Sequence, residues 1–176
     1  MNDRGPRVFI SYAHDSEQHK ESVREFARFL RGEVGIDVRI DQWHDGVRRD
    51  WAAWATHQVS RADYILAIAS PAYKERADDH AFPCDGRGSQ FEAALLRDLL
   101  TSDRPTWLRK VLPVVLPGRR VDEIPAFLQP YCASHYKVGS FTIDGVDELY
   151  RVITGQPRHP LPDTGPLIFL DPFIEK

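Results

Sequence analysis

Six consecutive apolar residues, Tyr64-Ile65-Leu66-Ala67-Ile68-Ala69, stand between Asp63 and Ser70-Pro71. The run has no polar alternation, so neither of its faces is written for water. It reads as a central strand buried on both faces, the arrangement of a parallel sheet covered by helices on either side. Val8-Phe9-Ile10 and Val111-Leu112-Pro113-Val114-Val115-Leu116 have the same character. Pro113 suits a strand only where its missing N–H falls at a strand start or a bulge. Ile36-Asp37-Val38-Arg39-Ile40-Asp41 alternates apolar and charged residues, the pattern of a strand near a sheet edge. Tyr136-Lys137-Val138 is a short last strand.

Helical periods fill the gaps. Asp15 is placed to cap a first helix, with Gln18 closing a capping box. Val23, Phe26, Ala27 and Leu30 form its apolar face, and Gly32 and Gly35 end it. Asp50 caps a second helix over 51–61, with Trp51, Ala55, Val59 and Ala62 on one face. Pro71 starts a short helix through Ala77. The stretch 78–88 is polar, contains Pro83, Gly86 and Gly88, and reads as a loop. Ser89 opens the next helix, which runs to about Leu100 with Phe91, Ala94, Leu95 and Leu99 as its buried stripe. Pro125 begins a one- or two-turn helix through Leu128. Val146, Leu149, Tyr150 and Ile153 make a last amphipathic helix stopped by Gly155.

Strand and helix therefore alternate five times. That order predicts an α/β fold with a five-stranded parallel sheet, helices on both faces and the flavodoxin-like strand order 2-1-3-4-5. Ligands of such sheets sit outside the carboxyl ends of the strands, where the strand order reverses. Here that place is flanked by Ser11, Tyr12, Ala13 and His14 after the first strand and by Ser70 after the third. The domain is expected over 1–157. Pro157, Pro160, Pro162, Pro166 and Pro172 mark 158–176 as a proline-rich tail or linker, whose Leu167-Ile168-Phe169-Leu170 is apolar enough to pack back on the domain.

Charge and cysteine content narrow the classes. A net charge of -3 argues against a nucleic-acid or acidic-membrane partner. The two cysteines, Cys84 and Cys132, form no CxxC pair, so a zinc ribbon or thioredoxin motif is absent. They read as reduced thiols in a cytoplasmic protein. The N-terminus lacks the apolar stretch of a signal peptide, and no apolar run is long enough for a membrane span.

Several chemistries fail on spacing. Gly86-Arg87-Gly88 starts like a dinucleotide fingerprint, but its final position is Phe91 and no strand immediately precedes it. No Walker A sequence occurs. A receiver-type phospho-acceptor needs a carboxylate at the end of the third strand, where this chain has Ala69-Ser70-Pro71. A flavin-binding loop needs more hydroxyls than Ser11 and Ser16. Asp78, Asp79, His80, Cys84 and Asp85 share one loop but match no standard metal site, so no metal is expected. Glu92 has two readings. Ser89-x-x-Glu92 is itself a capping box, a purely structural role. Alternatively, the carboxylate at this helix start faces a ligand near the sheet's switch point.

Val8-Phe9-Ile10-Ser11-Tyr12-Ala13-His14-Asp15 and Gly35-Ile36-Asp37-Val38-Arg39-Ile40-Asp41-Gln42-Trp43 resemble a bacterial SEFIR domain of the wider TIR-like superfamily. Ala62-Asp63-Tyr64-Ile65-Leu66, Ser70-Pro71-Ala72-Tyr73, Gly88-x-x-Phe91-Glu92 and Leu149-Tyr150-x-x-Ile153-Thr154-Gly155-Gln156-Pro157 fit the same pattern, so the resemblance spans roughly 6–157.

The resemblance implies a TIR-like fold and self-association through SEFIR or TIR contacts, as a dimer or filament. It implies a loop after the second strand, Trp43, His44, Asp45, Gly46 and Val47, that gates the pocket and touches the next copy. It also implies a possible fused or partner sensor domain. Many bacterial TIR-like domains cleave NAD+ to release nicotinamide in immune or antiphage signalling. By that resemblance Glu92 is the catalytic carboxylate, NAD+ the substrate, and no cofactor is required. Substrate contacts would come from Ser11, Tyr12, Ala13, His14, Asp41, Trp43, Ser70 and Phe91. Tyr12, Trp43 and Phe91 are the candidates to stack on flat rings, although core packing is the commoner fate of a tryptophan such as Trp43 or Trp51. TIR enzymes often carry a Trp some residues before the Glu; here Phe91 is directly adjacent. The competing reading is a non-catalytic homotypic interaction module, the role typical of animal SEFIR adaptors. A third is a nucleoside-processing enzyme of similar fold, such as a deoxyribosyltransferase.

Overall fold

The computed structural model describes residues 5–44, 46, 50–78, 87–128 and 134–172. Among these, the strands β1 (Arg7–Ser11), β2 (Asp37–Arg39), β3 (Tyr64–Ile68), β4 (Val111–Val115) and β5 (Tyr136–Lys137) form one sheet in the order β2-β1-β3-β4-β5. Every pairing is parallel. The helices are α1 (Glu17–Gly32), α2 (Trp51–Arg61), α3 (Pro71–Ala77), α4 (Arg87–Ser102), α5 (Arg104–Lys110) and α6 (Asp147–Thr154). The expected fold class and strand order are those observed.

Alternation along the strands divides the interior into two layers. Val8, Ile10 and Tyr12 face one side with Leu66, Ile68, Leu112 and Val114, beneath α1 (Val23, Phe26, Leu30) and α6 (Leu149, Ile153). Phe9 and Ala13 face the other with Ile65, Ala67, Val111 and Val115, beneath α2 (Val59), α3 (Tyr73) and α4 (Leu96, Leu100). Unbroken apolar strands follow directly, because each alternate residue meets a helix layer.

Pro113 sits inside β4 and needs no bulge. The Val114 carbonyl accepts from Ala69 N–H at 2.8 Å, so Val114 turns its polar groups toward β3. Pro113, one residue earlier, turns toward the β5 side, and β5 pairs only from Val114 onward. No ladder donor is needed where the ring nitrogen lies.

Several local expectations are corrected. The cap of α1 is Ser16, in extended conformation, whose hydroxyl accepts from His19 N–H at 3.1 Å. Asp15 reaches across the sheet end instead, accepting from Ala72 N–H at 3.1 Å and lying 3.7 Å from Arg119. The strand expected over 36–41 pairs only across Asp37–Arg39, and Asp41 begins a 3-10 turn, Asp41–His44. Helix α4 begins at Arg87, so Ser89 lies within it rather than capping it. Its buried stripe is Ala93, Leu96 and Leu100, and Phe91 lies exposed. Trp51, expected on the buried face of α2, is also exposed, with its ring edge-on to Trp54. Helix α5 lies in a stretch to which the sequence pattern assigns no element; Asp103 caps it through Thr106 N–H and Pro105 occupies its first turn. The segment expected as one short helix after Pro125 is a 3-10 turn, Ala126–Leu128. Leu167, Ile168, Phe169 and Leu170 do not pack back: they are 76% to 88% exposed.

Elsewhere the local chemistry is as read. Asp50 caps α2 through Ala53 N–H, and Gly155 ends α6 at φ +66°, a left-handed conformation that costs glycine little.

Candidate functional site

The site is assembled where β1 runs out. Ser11 and Tyr12 are consecutive, so their side chains leave on opposite faces of the sheet. Each meets a carboxylate. Ser11 Oγ donates to Glu92 Oε2 at 2.7 Å, and Tyr73 Oη lies 3.0 Å from the same Ser11 oxygen. Tyr12 Oη donates to Asp41 Oδ1 at 2.8 Å, and His14 Nε2 lies 2.8 Å from Asp41 Oδ2. The Gln42 N–H also donates to Asp41 Oδ1, at 2.7 Å.

The two carboxylates are set apart electrostatically. Burial alone would raise Asp41, but the hydrogen bonds from His14 and Tyr12, with His14's charge and Gln42 N–H, outweigh it and hold the group below its ordinary value. Glu92 is pushed up to about 8. Burial is the main cause; the Ser11 hydrogen bond opposes it, and the nearby negative Asp41 adds to the rise. One carboxylate is therefore firmly ionised and the other titrates near neutrality, the separation that assigns different roles to paired acids. The phenols of Tyr12 and Tyr73 are both raised, in each case chiefly by burial, and remain protonated donors.

The residues named from sequence fall into distinct places. Ser11, Tyr12, His14, Asp41 and Glu92 converge as described. Ser11 is fully buried and its hydroxyl is engaged by Glu92 and Tyr73. Tyr12 is 4% exposed, with its ring in the α1 layer and only the hydroxyl reaching Asp41. Ala13 is in the core of the opposite layer. Ser70 is buried and caps α3, accepting from Tyr73 N–H at 3.1 Å. Trp43 packs, half-buried, against the α1 layer. Phe91 presents an exposed ring beside Glu92 in sequence. His44 ends the 3-10 turn, and Gly46 follows at φ +93°. Asp45 and Val47 lie outside the described residues, as do Asp79, His80, Cys84, Asp85 and Cys132. Among the described residues, no three His, Cys, Asp or Glu side chains gather as a metal site, and no helix is long and apolar enough to cross a membrane.

Tyr73 was missed. It stands in the Ser70-Pro71-Ala72-Tyr73 segment, three residues after a cap, where a first-turn side chain folds back over the end of the preceding strand. That position was the available signal.

Residues 6–140 match the family model described as SEFIR domain. The chain belongs to the SEFIR family. Its fold matches the crystal structure of a prokaryotic SEFIR domain with a TM-score of 0.61 and 28% identity, covering 92% of this chain and 100% of that one. The interleukin-17 receptor B SEFIR domain superposes with a TM-score of 0.56 over 86% of this chain and 97% of that one; at 18% identity the likeness is one of fold. Interleukin-17 receptor D of Mus musculus is 32% identical over 91 residues, 50% of this chain and 12% of the receptor. Interleukin cytokine receptor-related protein 1 of Caenorhabditis elegans is 34% identical over 64 residues, 36% of this chain and 8% of that protein. The SEFIR chain thus spans about a tenth of the length of these curated relatives.

Proposed function

We propose that this SEFIR domain works by pairing with further SEFIR domains, a second copy of this chain among them, to pass on a signal. The observation that carries this reading is the SEFIR match over 6–140, together with relatives named as receptors. The 3-10 turn Asp41–His44 and the residues after it, Asp45, Gly46 and Val47, are the proposed contact. Sedimentation over a wide range of concentrations tests the idea. Concentration-dependent dimers or longer assemblies, lost on Gly46→Trp, are expected. A monomer at every concentration, alone and mixed with a second SEFIR domain, would overturn it.

A second reading is favoured by one feature, the carboxylate of Glu92 held at 2.7 Å by Ser11 at the carboxyl end of β1. We infer hydrolysis of the nicotinamide–ribose bond of NAD+: nicotinamide leaves with the bonding pair, and water takes its place on the ribose carbon and gives up a proton to the solvent. As that bond breaks, positive charge develops on the ribose, and an ionised carboxylate stabilises it as in glycoside hydrolysis. Pyridinium is already a good leaving group, so the residues need only position and stabilise. In this reading His14, with Asp41 behind it, faces the ribose or phosphate, and Phe91 offers a ring face. Nicotinamide release from NAD+ by the concentrated protein, abolished by Glu92→Gln in a folded variant, is expected. No release in any assembled form rejects the enzyme reading; equal release by the variant rejects Glu92.

A further inference from the structure

We propose that Tyr73 is a positioning residue for Glu92, acting through Ser11 by fixing which way a chain of hydroxyl protons runs. Three oxygens lie in sequence: Tyr73 Oη, then Ser11 Oγ at 3.0 Å, then Glu92 Oε2 at a further 2.7 Å. They come from α3, β1 and α4. Tyr73 and Ser11 are both fully buried, so water does not complete either hydroxyl.

Proton counting orders the chain. A serine hydroxyl carries one proton, and an ionised carboxylate only accepts. When Ser11 donates to Glu92, the remaining place at Ser11 Oγ is an acceptor, and Tyr73 must supply the proton. The reverse order would need Glu92 protonated, Ser11 donating to Tyr73, and the phenol proton directed elsewhere. Ser11 is the partner of that phenol among the described residues. A buried donor left without an acceptor is destabilising, so Tyr73 resists the reversal and holds Ser11 as a donor toward Glu92. A serine held as a donor bonds a carboxylate more strongly than a neutral carboxyl, so this order favours the ionised form of Glu92 against the burial that opposes it. Linked hydroxyls polarise one another, which strengthens the Ser11 bond in the same sense.

Other groups facing the chain do not supply this order. Asp41, in the turn after β2, acts on Glu92 as a negative charge and raises its proton affinity. Tyr12 spends its proton on Asp41. The catalytic consequence rests on the NAD+ cleavage reading; the proton order does not.

The test is the titration midpoint of the Glu92 carboxyl carbon by NMR, in the absence of NAD+. Ser11→Ala is expected to raise the midpoint by roughly one pH unit, the equivalent of one hydrogen bond. Tyr73→Phe, which keeps the ring, is expected to raise it by a fraction of that. In the Ser11→Ala background Tyr73→Phe should add nothing, because the link is gone. Site-specific 3-fluorotyrosine at position 73, a stronger donor, should lower the midpoint, and it decides the matter if the phenylalanine variant does not fold. An unchanged midpoint in Tyr73→Phe, an equal increment with and without Ser11, or no response to fluorination would overturn the proposal. Absence of nicotinamide release would reject the cleavage reading and leave these midpoints standing.

Discussion

Ser11 and Glu92 are 81 residues apart and meet at 2.7 Å, a β1 hydroxyl donating to an α4 carboxylate beneath the sheet's carboxyl end. The contact fastens α4 to β1, and it places an acid with a perturbed affinity for protons at the carboxyl end of that strand.

The first prediction concerns pH. The Glu92 carboxyl rises from 4.5 to about 8 on folding, chiefly through burial. Between those values the folded chain binds more protons than the unfolded one, so stability falls as pH rises and its contribution is lost above the folded value. Glu92→Gln should flatten this slope and leave the variant more stable than wild type at pH 8, by on the order of 1–3 kcal/mol. Urea unfolding at pH 5 and pH 8 measures it; a parallel pair of pH curves would refute the burial of this charge.

His19 gives a slope of the opposite sign. The residue is 2% exposed, and its Nε2 has no hydrogen-bond partner among the described residues. Burial, with the charge of Arg119 adding to it, lowers the imidazole from 6.5 to about 4. Below 6.5 the unfolded chain takes up a proton that the folded chain refuses, so stability falls on acidification until about pH 4. His19→Leu should remove on the order of 1–3 kcal/mol of that acid sensitivity, read as the difference in urea midpoint between pH 7 and pH 4.5.

The register of α4 is open to a direct check. Leu96 is fully buried in the layer with Phe9 and Tyr73, whereas Leu95 only flanks it. Leu96→Ala should cost about 2–5 kcal/mol. Leu95→Ala should cost clearly less, and Phe91→Ala, at an exposed ring, should stay within about 1 kcal/mol of wild type. Chemical unfolding of the three variants settles the order; a larger loss at Leu95 than at Leu96 would move the stripe.

At the start of α1, Ser16→Ala should cost about 1 kcal/mol by leaving the His19 N–H without its cap. Asp15→Ala acts elsewhere, loosening α3 and the Arg119 loop. Amide exchange distinguishes the two: faster exchange at His19 for the first, and at Ala72 for the second.

The architecture was readable because it rests on long-range pattern. Tyr64–Ala69 and its companions lack polar faces, and that alone demands helices on both sides of the sheet. Local ends were less legible. Asp15 and Ser16 are both good caps, and the choice was made by Ala72 and Arg119, which arrive from distant parts of the chain. In α4, Phe91, Leu95 and Leu99 form a respectable stripe, yet small Ala93 with Leu96 and Leu100 fits closer to the sheet. The apolar tail run Leu167–Leu170 carries hydrophobicity without a neighbouring face to receive it. At the site, strand order points to Ser11, Tyr12, Ala13, His14 and Ser70, whereas Glu92 and Asp41 enter through the family resemblance, since spacing alone reads Glu92 equally as a helix cap. What composition and spacing do not encode is pairing: Ser11 with Glu92, Tyr12 with Asp41. Tyr73 has only its place after the Ser70 cap to mark it, because a buried tyrosine in a first helical turn looks like packing until its hydroxyl has a partner.

Pro113 has a consequence for the length of the strand beside it. Two-residue β5 pairs with β4 only at Val114 and Val115, while the whole of β4 is buried. A backbone N–H turned to the β5 side before Val114 would therefore need a partner away from water. The ring nitrogen of Pro113 has no hydrogen to satisfy, so β5 can be short without leaving a buried donor at that place.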